Sequence, residues 1–196
     1  MKKRIIIPIL IICIIIAAIE LIFIRMRGGV RLKPEEGQLT VDIMPYRQDD
    51  PEWAKDRLGE SQYTMKSSGC LVTCIASAVS DKEEVITPGK LNALFSENEV
   101  YDANGNLQWY RLAELDGYSV MVYDSVSKTD IEKCLSEDHY PIVRVRMHGV
   151  GNHHYVLIVG KENGEYICMD PLEDELTKLS AYGNNVYAVR CVWKEN

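Results

Sequence analysis

Three regimes of hydrophobic and polar positions follow one another along the chain. From Ile5 to Ile24 every residue is apolar except Glu20, and no polar face interrupts the run. A helix of roughly 20 apolar residues matches a hydrocarbon core of about 30 Å. Residues 1–27 are therefore expected to form one transmembrane helix with its flanks. Pro8 falls in the first turns, where it costs least, and Glu20 lies near enough to the far end to reach the interface. Residues 28–39 then mix glycine, proline and charge and read as a juxtamembrane linker.

Residues 40–196 carry the pattern of one folded domain, opening on an extended stretch from Thr40 to Tyr46. Trp53 stands as an isolated aromatic anchor in the polar stretch that follows. Gly69 to Ser80 is apolar nearly all round and predicts a buried central helix, with Ser67 or Ser68 as its N-cap. Thr87-Pro88 opens a second helix whose apolar face is Leu91, Leu94 and Phe95. Leu107 to Leu115 and Asp130 to Ser136 predict two more. Strands are expected at Ser119–Tyr123, at Val143–Met147 with its period of two, and at His154–Gly160, which is apolar on both faces. Asn163-Gly164 marks a tight hairpin turn, Glu165–Asp170 the returning strand, and Asn185–Trp193 the last one. Helices followed by an antiparallel sheet give an α+β fold.

The N-terminal run has two other readings. Met1-Lys2-Lys3-Arg4 would serve as the basic region of a cleaved signal peptide, and Leu10-Ile11-Ile12-Cys13 faintly matches a lipoprotein signal. The run continues through Leu21-Ile22-Phe23-Ile24, well past either cleavage point, which favours an uncleaved anchor in the cell membrane. Lys2, Lys3 and Arg4 before the run nearly balance Arg25, Arg27, Arg31 and Lys33 after it. A very short basic N-terminus usually stays in the cytoplasm, so the domain is expected outside.

Beyond residue 27 the chain has 17 basic and 28 acidic residues, a net charge of −11. Nucleic acid is not expected as a partner of so acidic a surface. The charge mildly favours cationic or neutral substrates, and equally suits a solvated acidic surface. The cysteines are Cys13, Cys70, Cys74, Cys134, Cys168 and Cys191. Five lie beyond the apolar run, which fits one free nucleophile plus pairable thiols, or five unpaired thiols. No CxxC pair occurs, and no metal or cofactor is expected.

Cys70 begins the predicted central helix, just after Ser67-Ser68-Gly69. Free N–H groups and the helix dipole at such a terminus favour a thiolate and can bind an oxyanion; a buried core cysteine would occupy the same place. A nucleophilic cysteine needs a base, and the chain has four histidines: His139, His148, His153 and His154. His139 follows a polar helix and reads as exposed, and His148 ends a strand. His153 and His154 open the apolar strand on opposite faces, so only one can meet Cys70. A core histidine satisfied by structure alone is the other reading. Asp170 ends the returning strand. It falls opposite His154 if a three-residue loop sets Gly160 against Gly164, whereas a two-residue turn shifts that register by three.

Tyr46-x-Gln48, Asp50-Pro51-x-Trp53, Ser68-Gly69-Cys70-Leu71-Val72-Thr73, His154-Tyr155-Val156 and Asp170-Pro171 stand in this order between residues 41 and 192. The series resembles the papain-like cysteine peptidase domain that cleaves double-glycine leaders from bacteriocins, and especially its stand-alone relatives. The resemblance implies a Cys-bearing central helix packed on an antiparallel sheet that carries His and Asp. It implies Cys70 as nucleophile, His154 as base and Asp170 as the acid that orients it. Gln48 would donate its side-chain amide to the oxyanion hole, a role a neutral N–H fills without burying charge. Leader-processing members are usually part of an exporter with an ATPase, whereas this chain has no GK[ST] phosphate loop. Cys74, one helical turn after Cys70, is a resolving thiol or a small core residue.

The expected function is peptide-bond hydrolysis by a membrane-anchored cysteine peptidase acting on a peptide or protein. Two alternatives stand beside it. One is a papain-like endopeptidase acting on peptidoglycan stem peptides. The other is a membrane-anchored binding module without turnover, against which the intact Cys, His, Asp and Gln set argues.

Overall fold

The computed structural model describes residues 2–40, 43–81 and 84–195, with side chains described except at residues 2–9 and 40. Lys2, Lys3, Arg4 and the start of the apolar run at Ile5 thus have side chains outside the described set, and Val41 and Asp42 lie outside it altogether. The first element, α1 (Lys2–Met26), is a continuous helix. From Leu10 to Ile24 its large apolar side chains are exposed all round. Among the described residues no helix is long and apolar enough to cross a membrane.

The segment expected to be a linker packs on the domain. β1 (Val30–Arg31) pairs with β8 (Asn185–Val186), and β2 (Leu39–Thr40) pairs with β5 (His153–Glu162). Leu32 is buried in a core cluster. Leu32 and Leu39 explain this, because Leu32 is buried in the second core and Leu39 packs against it.

Five helices follow: α2 (Met65–Ser68), α3 (Cys70–Val79), α4 (Pro88–Glu97), α5 (Trp109–Ala113) and α6 (Lys128–Ser136). The predicted Ser67 or Ser68 cap is not the one used. Thr64 caps α2 in a reciprocal pairing with Ser67, and α3 begins at Gly69 without a side-chain cap. Thr87 caps α4 with Pro88 in its first turn, as the sequence predicts. Ser127 caps α6.

The other strands are β3 (Tyr118–Val122), β4 (Pro141–Arg146), β6 (Glu165–Met169), β7 (Thr177–Lys178) and β9 (Ala188–Lys194). The main sheet runs β3-β9-β4-β5-β6-β7, with antiparallel neighbours throughout. The chain is therefore α+β with an antiparallel sheet.

The sheet has a core on each side. Leu157, Val159 and Met169 pack with Val72, Cys74 and Ile75 of α3. Val143, Val145, Val156 and Ile158 pack with Ile131, Leu135, Leu179 and Tyr182 on the other face. Burial on both faces accounts for the run of apolar residues in β5. Asn163 and Gly164 both have positive φ, 51° and 74°, and Glu162 pairs with Glu165 across them. The hairpin is thus the two-residue kind that Asn-Gly favours. A shift between Ile158 and Gly160 moves the register again, and Asp170 lies just beyond β6. The three-residue-loop pairing of Gly160 with Gly164 does not occur.

Candidate active site

Each of the four residues singled out in the sequence is fixed by a different local cause. Cys70 is the first residue of α3, where the helical ladder skips a bond. Gly69 N–H donates to the Met65 carbonyl and Thr73 N–H to that of Gly69. The Lys66 carbonyl, which would take the Cys70 N–H in an unbroken helix, accepts the Gln48 side-chain amide instead at 2.8 Å. Gly69 separates α2 from α3, so the helix is broken just before the Cys70 N–H. Gly69 is needed here, because an added Cβ would come within 2.5 Å of the Met65 carbonyl oxygen.

Gln48 is buried at 4% exposure. Its backbone N–H donates to the Pro171 carbonyl at 2.9 Å, tying it to the segment that follows Asp170. Arg47 strengthens the tie by pairing with Asp49 and with Asp174. Buried Trp53 donates its indole N–H to the Arg47 carbonyl, which gives the isolated aromatic its task. One N–H of the Gln48 amide is used by the Lys66 carbonyl.

His154 opens β5 next to His153, and alternation separates the two. His154 lies opposite Val145 on the face of the second core, and His153 lies opposite Arg146. His154 is 4% exposed. Its Nε2 is 2.7 Å from Asp170 Oδ1, and Cys70 lies near enough to the ring to act on its pKa. Burial alone would lower the His154 pKa. The hydrogen bond to Asp170, then the nearby Cys70 and the charge of Asp170, outweigh it and raise the pKa to about 9. His153 is exposed and meets the Tyr187 ring edge-on. Burial first, then Arg146 and Arg144, lower its pKa.

Asp170 is 2% exposed. Burial would raise its pKa, but hydrogen bonding and charge from His154, then hydrogen bonds from Tyr182 and the Leu172 N–H, bring it below the usual value. A buried carboxylate with three donors stays ionised, and an ionised Asp170 favours the imidazolium form of His154. The structure thus hydrogen-bonds His154 to Asp170 and brings Cys70 close to the same ring, while the Gln48 amide is tied to the Lys66 carbonyl just before Cys70.

A cleft of about 470 Å³ opens at Cys70, with Tyr63, Leu71, Leu107, Trp109 and Tyr155 among its walls. A second, of about 430 Å³, lies on the Asp170 side and includes Glu173, Asp174 and Glu175. No protein-family model matches the chain, and no curated protein matches it significantly.

The remaining candidates fall away from this site. His139 is half-buried rather than exposed, stacked on Trp193 at 4.4 Å between ring centres. His148 is exposed in a short 3-10 turn. Cys74 is fully buried and its thiol points to the Tyr155 carbonyl. Burial, and then the neighbouring Cys70, push the Cys74 thiol well up, so it acts as a small core residue. Cys134 of α6 and Cys191 of β9 form a disulfide. Tyr182, whose hydroxyl donates to Asp170, has no motif to mark it, and neither does the Leu172 N–H.

Proposed function

We propose that the chain is a membrane-anchored, papain-like cysteine peptidase with Cys70 as nucleophile, His154 as base, Asp170 as orienting acid and Gln48 in the oxyanion hole. The observation that carries this reading is buried His154, hydrogen-bonded to Asp170 at 2.7 Å with Cys70 close to its ring. A cysteine and histidine so arranged form a thiolate–imidazolium pair, and the carboxylate fixes the ring.

The sulfur attacks the carbonyl carbon of a peptide bond, and the carbonyl electrons move to oxygen. That oxyanion lies between two preorganised donors, the Cys70 N–H and the free N–H of the Gln48 amide. As it collapses, the C–N bond breaks and His154 gives its proton to the leaving amine, leaving a thioester on Cys70. Neutral His154 then takes a proton from water as the water oxygen attacks the thioester. Collapse returns the thiolate and the imidazolium and releases the carboxylic acid. The cleft beside Cys70 supplies a surface along which an extended peptide can lie.

The membrane part rests on α1. A helix that is apolar all round needs apolar surroundings, and among the described residues its large apolar side chains from Leu10 to Ile24 are exposed. The Cys134–Cys191 disulfide supports placing the domain on the oxidising side of the membrane.

The test is cleavage-site profiling of a peptide library by mass spectrometry, with Cys70→Ala as control. Products formed by wild type and absent from Cys70→Ala support the reading. A folded wild-type protein that cleaves no member leaves the binding-module alternative in its place.

A further inference from the structure

We propose that Tyr182 is a positioning residue of this site, its hydroxyl holding Asp170 in the orientation that keeps His154 aimed at Cys70. The inference rests on the peptidase reading and adds to it a residue that no motif contains.

Three donors converge on the Asp170 carboxylate, and each oxygen is served. Oδ1 accepts from His154 and, at 2.8 Å, from the Leu172 N–H. Oδ2 accepts from the Tyr182 hydroxyl. The His154 bond alone leaves the carboxylate free to turn about its terminal bond. A donor on the second oxygen removes that freedom, as outer partners do for other ligating and catalytic side chains.

The support for Tyr182 is itself rigid. The ring is 5% exposed and packs in the second core with Leu179, Val186 and Val189. It ends the 3-10 turn Leu179–Tyr182, and Gly183 follows at a φ of 74°, which an L side chain resists. Burial, then Asp170, raise the Tyr182 pKa, so the hydroxyl stays a donor at any physiological pH. The titratable groups around Asp170 are His154 on β5, Tyr182 on the 3-10 turn, and the Cys74, Cys168 and Glu173 groups on neighbouring segments. The buried Cys74 and Cys168 thiols are both pushed up and stay neutral. Glu173 is exposed.

A tyrosine placed only for packing would bond whichever acceptor was near. Its loss would lower stability and leave the reactivity of Cys70 unchanged in the folded protein. Iodoacetamide labelling of Cys70, followed by mass spectrometry on the full chain, separates the two roles without any substrate. In folded Tyr182→Phe the rate near pH 6 is expected to fall about 10-fold while the rate near pH 9 is unchanged. In an Asp170→Asn background the same substitution should add no further loss, because the effect passes through Asp170. Unchanged or faster labelling near pH 6, or a loss that persists undiminished in Asp170→Asn, overturns the proposal. A second measurement uses wild type, should Tyr182→Phe not fold: a hydrogen-bonded Tyr182 hydroxyl proton in the NMR spectrum, lost in Asp170→Asn. Its absence from wild type also overturns the proposal. Neither readout needs turnover, so a chain that hydrolyses nothing would sink the peptidase reading and leave the Tyr182 result legible.

Discussion

His154 Nε2 and Asp170 Oδ1 lie 2.7 Å apart, with both side chains almost wholly buried. The pair couples folding to pH with a definite sign. The His154 pKa is raised to about 9. Its stabilisation is therefore complete below an unfolded pKa of roughly 6.5 and is lost as pH rises through about 9. The Asp170 pKa is lowered, so its contribution is present above the usual carboxylate value and is lost as pH falls through the folded one. The melting temperature of wild type minus that of Asp170→Asn should be largest between about pH 4.5 and 6.5 and shrink from there to about pH 9. Breaking such a buried pair typically costs on the order of 3 kcal/mol. A gap that stays flat from weakly acidic to alkaline pH would separate the His154 charge from Asp170.

Gln48→Ala should slow turnover far more than it weakens substrate binding. The free amide N–H gains its strongest partner only when the carbonyl oxygen becomes an oxyanion. Loss of one such donor costs about 10²- to 10³-fold in kcat. Steady-state kinetics on any peptide found to be cleaved decides the point. A raised KM with kcat unchanged would make Gln48 a substrate contact.

The cysteines should divide sharply under native labelling. Cys134 and Cys191 are joined, and Cys74 and Cys168 are buried with their thiols pushed up. Cys70 should therefore be the one domain cysteine that alkylates fast, and a non-reducing peptide map should link residue 134 to residue 191. The disulfide closes a chain separation of 57 residues. Its reduction should lower stability by about 4 kcal/mol on the chain-entropy account. Fast native labelling of Cys134 would exclude the bond.

The full chain should fractionate with membranes and resist alkaline extraction, and added protease should remove its domain from intact cells. A domain protected from protease would reverse the proposed orientation. A shortened chain released into the medium would show that the apolar run is cleaved.

Element types were legible wherever periodicity and punctuation agreed. Thr87-Pro88 marked a helix start, and Asn163-Gly164 marked a tight hairpin turn whose loop length stayed open between two and three residues. The apolar run of β5 read as a strand with a core on each face. Register was less legible. The shift between Ile158 and Gly160 leaves no trace in residue type, so alternation could not place Asp170 relative to His154. The Ser67 or Ser68 cap failed because a separate turn, capped by Thr64, precedes α3. That break falls just before Cys70. Leu32 and Leu39 were hidden among glycines and charges, and their packing depends on partners about a hundred residues or more away. Tyr182 was invisible for the same reason, since only the fold brings its hydroxyl to Asp170.

The most direct test of the Cys70–His154 pair is the pH dependence of iodoacetamide labelling at Cys70 in His154→Ala and His153→Ala, with circular dichroism to verify folding. His154→Ala should slow labelling at neutral and acidic pH and abolish hydrolysis. His153→Ala should leave both nearly intact, because its side chain is exposed and meets the Tyr187 ring, whereas His154 is the one bonded to Asp170. A folded His153→Ala that loses its reactivity at low pH, beside a His154→Ala that labels like wild type, would contradict the assignment.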